Sequence, residues 1–307
     1  MTKAFIFPGQ GSQSIGMLAE LADEFSVVQQ LFSQASDVLN YDLWELIQHG
    51  SASDLNATEK TQPAMLAAGV AVWAVWNEAQ GEKPALMAGH SLGEYTALVC
   101  AGALAFKDAV SLVQDRGRYM QAAVASGEGA MAAILGLDDE AVINVCENVA
   151  EKEVVSAVNF NSPGQVVIAG HAVAVQRAIE AAVNAGAKKA ILLPVSVPSH
   201  CALMKPAAEK LQERLAAIEF STPQISVVNN VDANIISDAD GIKEALVRQL
   251  YQPVRWVGCV NKMIELGASN FIECGPGKVL AGLNKRIARR TPVVPVFDSA
   301  SLKKAMG

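Results

Sequence analysis

Gly89-His90-Ser91-Leu92-Gly93 constrains this chain more than any other segment, because it demands a strand that turns abruptly into a helix. The apolar run at 85–88 precedes it, and an Ala-rich helix candidate, 93 to about 101, follows. In the Gly-x-Ser-x-Gly pattern the serine sits on a strained turn with its hydroxyl exposed and a backbone N–H beside it. Glycine is needed on both sides, since a Cβ would obstruct the unusual dihedrals and the close approach of helix to strand. The pentapeptide alone also arises by chance. Its strand-before, helix-after setting makes Ser91 a candidate nucleophile.

The rest of the chain is compatible with a large α/β body. With 307 residues, 51% hydrophobic and 18% charged, it can bury a sizeable core, as one big domain or a large one carrying a smaller one. The net charge of −7 argues against general nucleic-acid binding, which needs a basic surface. The longest apolar stretch, 64–76, has thirteen residues and is shorter than the roughly 20 a membrane span requires. Only four residues separate Met1-Thr2-Lys3 from Pro8-Gly9, too few for the apolar part of a secretion signal. Five scattered cysteines without a Cys-x-x-Cys pair suit reduced thiols in a cytoplasm, not a disulfide framework or a zinc site. No metal and no cofactor is expected.

Strand candidates at 3–7, 85–88, 225–228, 271–274 and 293–297 alternate with helix candidates, which predicts α/β with a largely parallel sheet. A buried helix is read over 63–79, and a second, carrying Arg116, over 106–124. A further helix is read over 203–218. The middle of the chain changes rhythm. Strand 130–135, helix 138–149, strands 154–160 and 165–169 about the turn Asn161-Ser162-Pro163-Gly164, helix 172–184 and strand 189–193 follow one another. This β-α-β-β-α-β order is ferredoxin-like. It predicts an inserted small domain at 125–196, interrupting a large domain made of 1–124 and 197–307.

A serine hydroxyl needs a base, and there are four histidines. His49 lies in a polar loop and reads as solvated surface. His171 reads as a helix cap or turn residue at a strand end. His90 adjoins Ser91, so their side chains should diverge; it can line a pocket but is a poor base. His200 remains, on the loop 196–201 near Pro194 and Pro198, as a base or as a structural loop histidine. No carboxylate between Ser91 and His200 sits convincingly as a triad member, since Asp138 and Asp139 read as solvated helix caps. A neutral acceptor such as a backbone carbonyl would then fix the imidazole tautomer, which favours transfer over hydrolysis.

Other segments keep two readings. Arg116 is either a surface partner of Asp115 or Glu128, or a clamp for a substrate carboxylate. Gly9 and Gly11 flank Gln10, whose backbone N–H is either part of a plain turn or an oxyanion donor. Gly275-Pro276-Gly277-Lys278 lacks the full phosphate-loop pattern. Lys285, Arg286, Arg289 and Arg290 on the last helix either complement its C-terminus or form a dock for an acidic partner.

Phe7 to Gln13, Gly89-His90-Ser91-Leu92-Gly93-Glu94, Arg116, Asn159-Phe160-Asn161-Ser162-Pro163-Gly164, Ser199-His200, Gln249 and Gly275-Pro276-Gly277 together resemble the malonyl-CoA:acyl carrier protein transacylases. The resemblance runs over essentially the whole chain. It implies an α/β-hydrolase-like large domain with a ferredoxin-like insertion above the cleft. It further implies that Ser91 is acylated, that His200 is its base, and that the Gln249 backbone carbonyl orients His200. The N–H groups of Gln10 and Leu92 would form the oxyanion hole, and Arg116 would bind the malonyl carboxylate. The implied partners are malonyl-CoA and the phosphopantetheine arm of acyl carrier protein, with no nucleic acid and no membrane. The rivals are a serine esterase or thioesterase, and a carrier-protein scaffold without catalysis.

Overall fold

A computed structural model describes residues 2–195 and 197–307. Met1 and Ser196 lie outside the described residues, and with Ser196 the first residue of the loop expected to carry His200. Among the described residues, nine strands form two sheets: β1 Lys3–Phe7, β2 Leu86–Gly89, β3 Gly129–Leu135, β4 Val155–Ser162, β5 Gln165–His171, β6 Lys189–Leu192, β7 Ser226–Val228, β8 Asn270–Cys274 and β9 Val293–Val296. The first sheet has the order β7-β2-β1-β8-β9, with every pair parallel. The second has the order β4-β5-β3-β6, with every pair antiparallel.

Parallel strands are covered by helices on both faces, so they read as unbroken apolar runs. β1 and β2 do so. Along β1, Phe5 and Phe7 join the core beneath the helix Thr58–Glu78, while Ala4 and Ile6 join a second cluster with Trp256 and Met263. Each fully buried Phe contributes roughly 1.5–3 kcal/mol. The second sheet packs against the helices Asp139–Val149 and Ala172–Asn184 and encloses its own cluster of Ile134, Val142, Cys146, Val166, Ile168 and Val175. It is tied to the parallel-sheet body through Phe160 N–H to the Val254 carbonyl (3.0 Å) and Val254 N–H to the Val158 carbonyl (2.8 Å).

Several boundaries differ from expectation. The buried helix begins at Thr58, so Pro63 lies inside it. Proline marks a helix start only by tendency, and unbroken burial over 61–72 outweighs the missing N–H here. The helix read over 203–218 is a short 3₁₀ turn, Ala202–Met204, followed by Lys205–Ala216 with Pro206 in its first turn. His49 closes the helix Leu43–His49 and is not in a loop, although it is exposed as expected. Arg289 and Arg290 lie beyond the end of the helix Val279–Ile287.

Candidate active site

β2 ends at Gly89 and the helix Leu92–Cys100 begins two residues after His90. Ser91, between them, has φ 51° and ψ −110°. Such backbone costs on the order of 1–3 kcal/mol and persists only where the surroundings enforce it. Here they do. Ser91 N–H donates to Asn230 Oδ1 (2.7 Å), and Asn230 Nδ2 donates to the Gly89 carbonyl (2.7 Å). A Cβ on Gly89 would lie 1.8 Å from the Gly93 backbone, and one on Gly93 would lie 2.1 Å from the Phe7 carbonyl oxygen. Both glycines are required by close approach.

Ser91 Oγ lies 2.8 Å from His200 Nε2. The opposite ring nitrogen, Nδ1, is 2.6 Å from the Gln249 backbone carbonyl. A carbonyl oxygen can only accept, so Nδ1 carries the proton and Nε2 offers its lone pair to the serine hydroxyl. Tertiary structure thus brings together Ser91, His200 and Gln249 with the tautomer a base needs. Burial, then the positive charge of Arg116, pushes the imidazole down to about 3, against the pull of the Gln249 carbonyl. His200 is therefore neutral at neutral pH.

Arg116 is 2% exposed. Its terminal nitrogens donate to Gln62 Oε1 (2.7 Å), Gln249 Oε1 (3.1 Å) and Ser91 Oγ (3.3 Å). Its Nε has no hydrogen-bond acceptor, and the guanidinium lies over the Tyr95 ring, 5.4 Å from the centroid. Every acceptor is neutral. The surface ion pair fails as a reading, because Asp115 is taken by Arg214 (2.9 Å) and by Arg118 (3.9 Å). A desolvated guanidinium without a counter-ion is costly unless something anionic joins it. It lies beside the serine.

Gln10 and Leu92 line the same cleft, and among the described residues neither backbone N–H has an intramolecular acceptor. The cleft, about 140 Å³, opens into an outer cavity of about 640 Å³ that shares Gln10, Thr58, Leu193 and Val195 with it. His90 lines the cleft as expected and points its Nε2 at Asn161 Oδ1 (2.8 Å) on β4. His171 ends β5 and takes the N-cap position of the helix Ala172–Asn184, as read, although its side chain makes no cap bond; its Nδ1 accepts the Val154 N–H (2.9 Å). Lys285, Arg286, Arg289 and Arg290 are exposed, and Arg286 reaches Gln165 Oε1 on β5 (2.8 Å). The loop 275–278 is no phosphate site. The helix N-terminus after it is filled by Glu273, which accepts from Leu280 N–H (2.9 Å) and Ala281 N–H (2.7 Å).

Sequence reasoning missed Glu94, Asn230 and Gln62 as parts of the site. Glu94 carried a signal, a carboxylate in the first turn after the nucleophile candidate. Asn230 and Gln62 carried none, since each acts across more than fifty residues. Among the described residues no helix is long and apolar enough to cross a membrane, and no group of metal-ligating side chains is found.

The serine–imidazole pair, its carbonyl-oriented tautomer and the free N–H groups beside it define a class: proteins arranged to form an acyl-serine. The family description "Acyl transferase domain" matches residues 4–300. A malonyl CoA-acyl carrier protein transacylase of Escherichia coli (strain K12) is 59% identical over 303 residues, covering 99% of this chain and 98% of that protein. One from Bacillus subtilis (strain 168) is 48% identical, covering 99% of this chain and 96% of that protein. Among solved structures, an acyl carrier protein S-malonyltransferase from Vibrio cholerae is 58% identical, with a TM-score of 0.97 and 99% of each chain covered. A malonyl-transacylase solved in complex with its type II PKS acyl-carrier protein is 57% identical, with a TM-score of 0.99, covering 100% of this chain and 99% of that one. The chain belongs to the acyl transferase domain family, among the malonyl CoA-acyl carrier protein transacylases.

Proposed function

We propose that this chain transfers the malonyl group of malonyl-CoA to the phosphopantetheine thiol of acyl carrier protein through a malonyl ester on Ser91. The observation that carries the reading is the buried Arg116, hydrogen-bonded to neutral acceptors and within 3.3 Å of Ser91 Oγ. As Ser91 attacks the thioester carbonyl, its proton passes to His200 Nε2. The Gln10 and Leu92 N–H groups hold the developing oxyanion, each typically worth about 10²–10³ in rate, or roughly 3–4 kcal/mol. Collapse breaks the C–S bond, and the leaving CoA thiolate takes the proton from His200. In the second half-reaction the pantetheine thiol gives its proton to His200 and attacks the ester. Ser91 oxygen leaves and recovers the proton. One serine serves both halves in turn.

The malonyl carboxylate, anchored on Arg116, selects the acyl group, because an uncharged acyl leaves the guanidinium desolvated and unpaired. A neutral carbonyl behind His200, in place of a carboxylate, favours a thiol acceptor over water and so speaks against an esterase. The finer architecture belongs to the same proposal: an α/β-hydrolase-like large domain, 1–124 with 197–307, and a ferredoxin-like insertion, 125–196. The β4-β5-β3-β6 order and its separate apolar cluster support the insertion. Five unpaired cysteines support a cytoplasmic location. Mass spectrometry tests the chemistry. Malonyl-CoA should add one malonyl group to the Ser91 peptide, discharged quickly by carrier protein and slowly by water. An unmodified peptide would favour the scaffold, and rapid loss to water the thioesterase.

A further inference from the structure

Glu94 lies three residues beyond Ser91, in the first turn of the helix Leu92–Cys100, and is 3% exposed. A single oxygen, Oε2, accepts from the Asn230 backbone N–H (2.9 Å) and from Gln249 Nε2 (2.9 Å). These two residues grip the nucleophile turn. Asn230 holds Ser91 N–H, while Gln249 Nε2 also donates to the Ser91 carbonyl (3.1 Å). The other end of the Gln249 amide, Oε1, accepts from Arg116 (3.1 Å).

A side-chain amide has a donor end and an acceptor end, and a half-turn exchanges them. Facing the Ser91 carbonyl and a carboxylate, both acceptors, Gln249 can present only its NH₂. Its oxygen must then face Arg116. We propose that Glu94 is a positioning residue: its carboxylate fixes the orientation of the Gln249 amide, which aims the Arg116 guanidinium beside Ser91 without neutralising it. The proposal rests on Arg116 receiving the acyl group's carboxylate. A direct Glu94–Arg116 ion pair would occupy the guanidinium. The interposed neutral amide leaves its charge without a direct anionic partner, and Nε without a hydrogen-bond acceptor.

The groups facing Glu94 are Arg116 from the helix Phe106–Ala123, Asp232 from the loop after β7, Cys259 from the helix Trp256–Glu265, and neighbouring Tyr95. Burial raises the Glu94 carboxyl to about 7, opposed by the Asn230 N–H, the Gln249 amide and Arg116. His200 is held near 3. An acid limb near neutrality in malonyl loading therefore belongs to Glu94 and not to the base.

Rapid-quench loading of wild type, Glu94→Gln and Glu94→Asp with malonyl-CoA and acetyl-CoA across the neutral range tests this. Glu94→Gln should lower malonyl loading at least about tenfold more than acetyl loading and abolish the acid limb; Glu94→Asp should keep the limb. Equal losses for both acyl groups, or a limb that survives in Glu94→Gln, would overturn the proposal. A wild type that takes up no malonyl would sink the functional reading instead. An NMR arm needs neither substrate nor variant. With ¹³C-glutamate and ¹⁵N-arginine labels, the Arg116 Nε resonance should shift with the Glu94 carboxyl midpoint, and an unresponsive Arg116 would refute the coupling.

Discussion

A cation kept dry without a directly paired anion is costly, and Arg116 is such a cation. Its replacement should separate function from stability. Arg116→Ala is expected to lower kcat/KM for malonyl loading about 10²-fold or more, the loss of a charge-assisted bidentate contact, while narrowing the gap to acetyl. The melting temperature should hold or rise, because a desolvated charge is removed. A variant that loads malonyl undiminished would refute the clamp. His200 gives a second test at this scale. Its folded value near 3 lies below the ordinary 6.5, so its contribution to stability is complete above 6.5 and is lost as pH falls from there toward 3. NMR of the ring should show a neutral imidazole with its proton on Nδ1 at about pH 5. A ring titrating near 6.5 would contradict the burial argument. Glycine spacing marks Ser91, and elimination of three histidines leaves His200 as the candidate base, from sequence alone. Gln62, Asn230 and the bridging Gln249 amide were silent, because an amide has no motif of its own.

Among the secondary elements, the helix Val279–Ile287 depends on a carboxylate from the preceding strand. Glu273, on β8, caps two of its first N–H groups. Burial nonetheless wins over these bonds and raises the carboxyl to about 7. Between the ordinary value near 4.5 and 7 the folded chain holds the extra proton, so stability from this group falls as pH rises through that window. Glu273→Gln should flatten the decline, measured as urea midpoints at pH 5 and about 7.5. Glu273→Ala should cost about 1–2 kcal/mol more than Gln through lost capping. An unchanged pH slope in the Gln variant would assign the titration elsewhere. Short apolar runs such as β1 and β2 were legible because each is unbroken and ends at glycine or proline. The helices Ala19–Glu24 and Ser299–Met306 were not read. The first starts without a side-chain cap, at Leu18 with φ 64°, and has only six residues. The second did carry a signal, the Asp298/Ser301 capping box, which is easily overlooked at a chain end.

Across the whole molecule, the net charge and one local cluster of exposed charge have opposite signs. The chain carries −7 overall, yet Lys285 and Arg286 are exposed on a helix end that touches β5 through Gln165. Reversing both charges should raise the KM for acyl carrier protein several-fold more than that for malonyl-CoA, and more at low salt. Equal changes in the two constants would remove this surface from consideration. Apolar periodicity, glycine positions and helix caps are local properties, so alternation of strand and helix, the elbow and the β-α-β-β-α-β order could be read along the chain. Contacts between residues distant in sequence decided the rest: a base 109 residues from its serine, a carbonyl 49 residues further on, and an arginine whose charge is left open. These depend on closing long loops and on excluding water, and neither is encoded in any short window of residues.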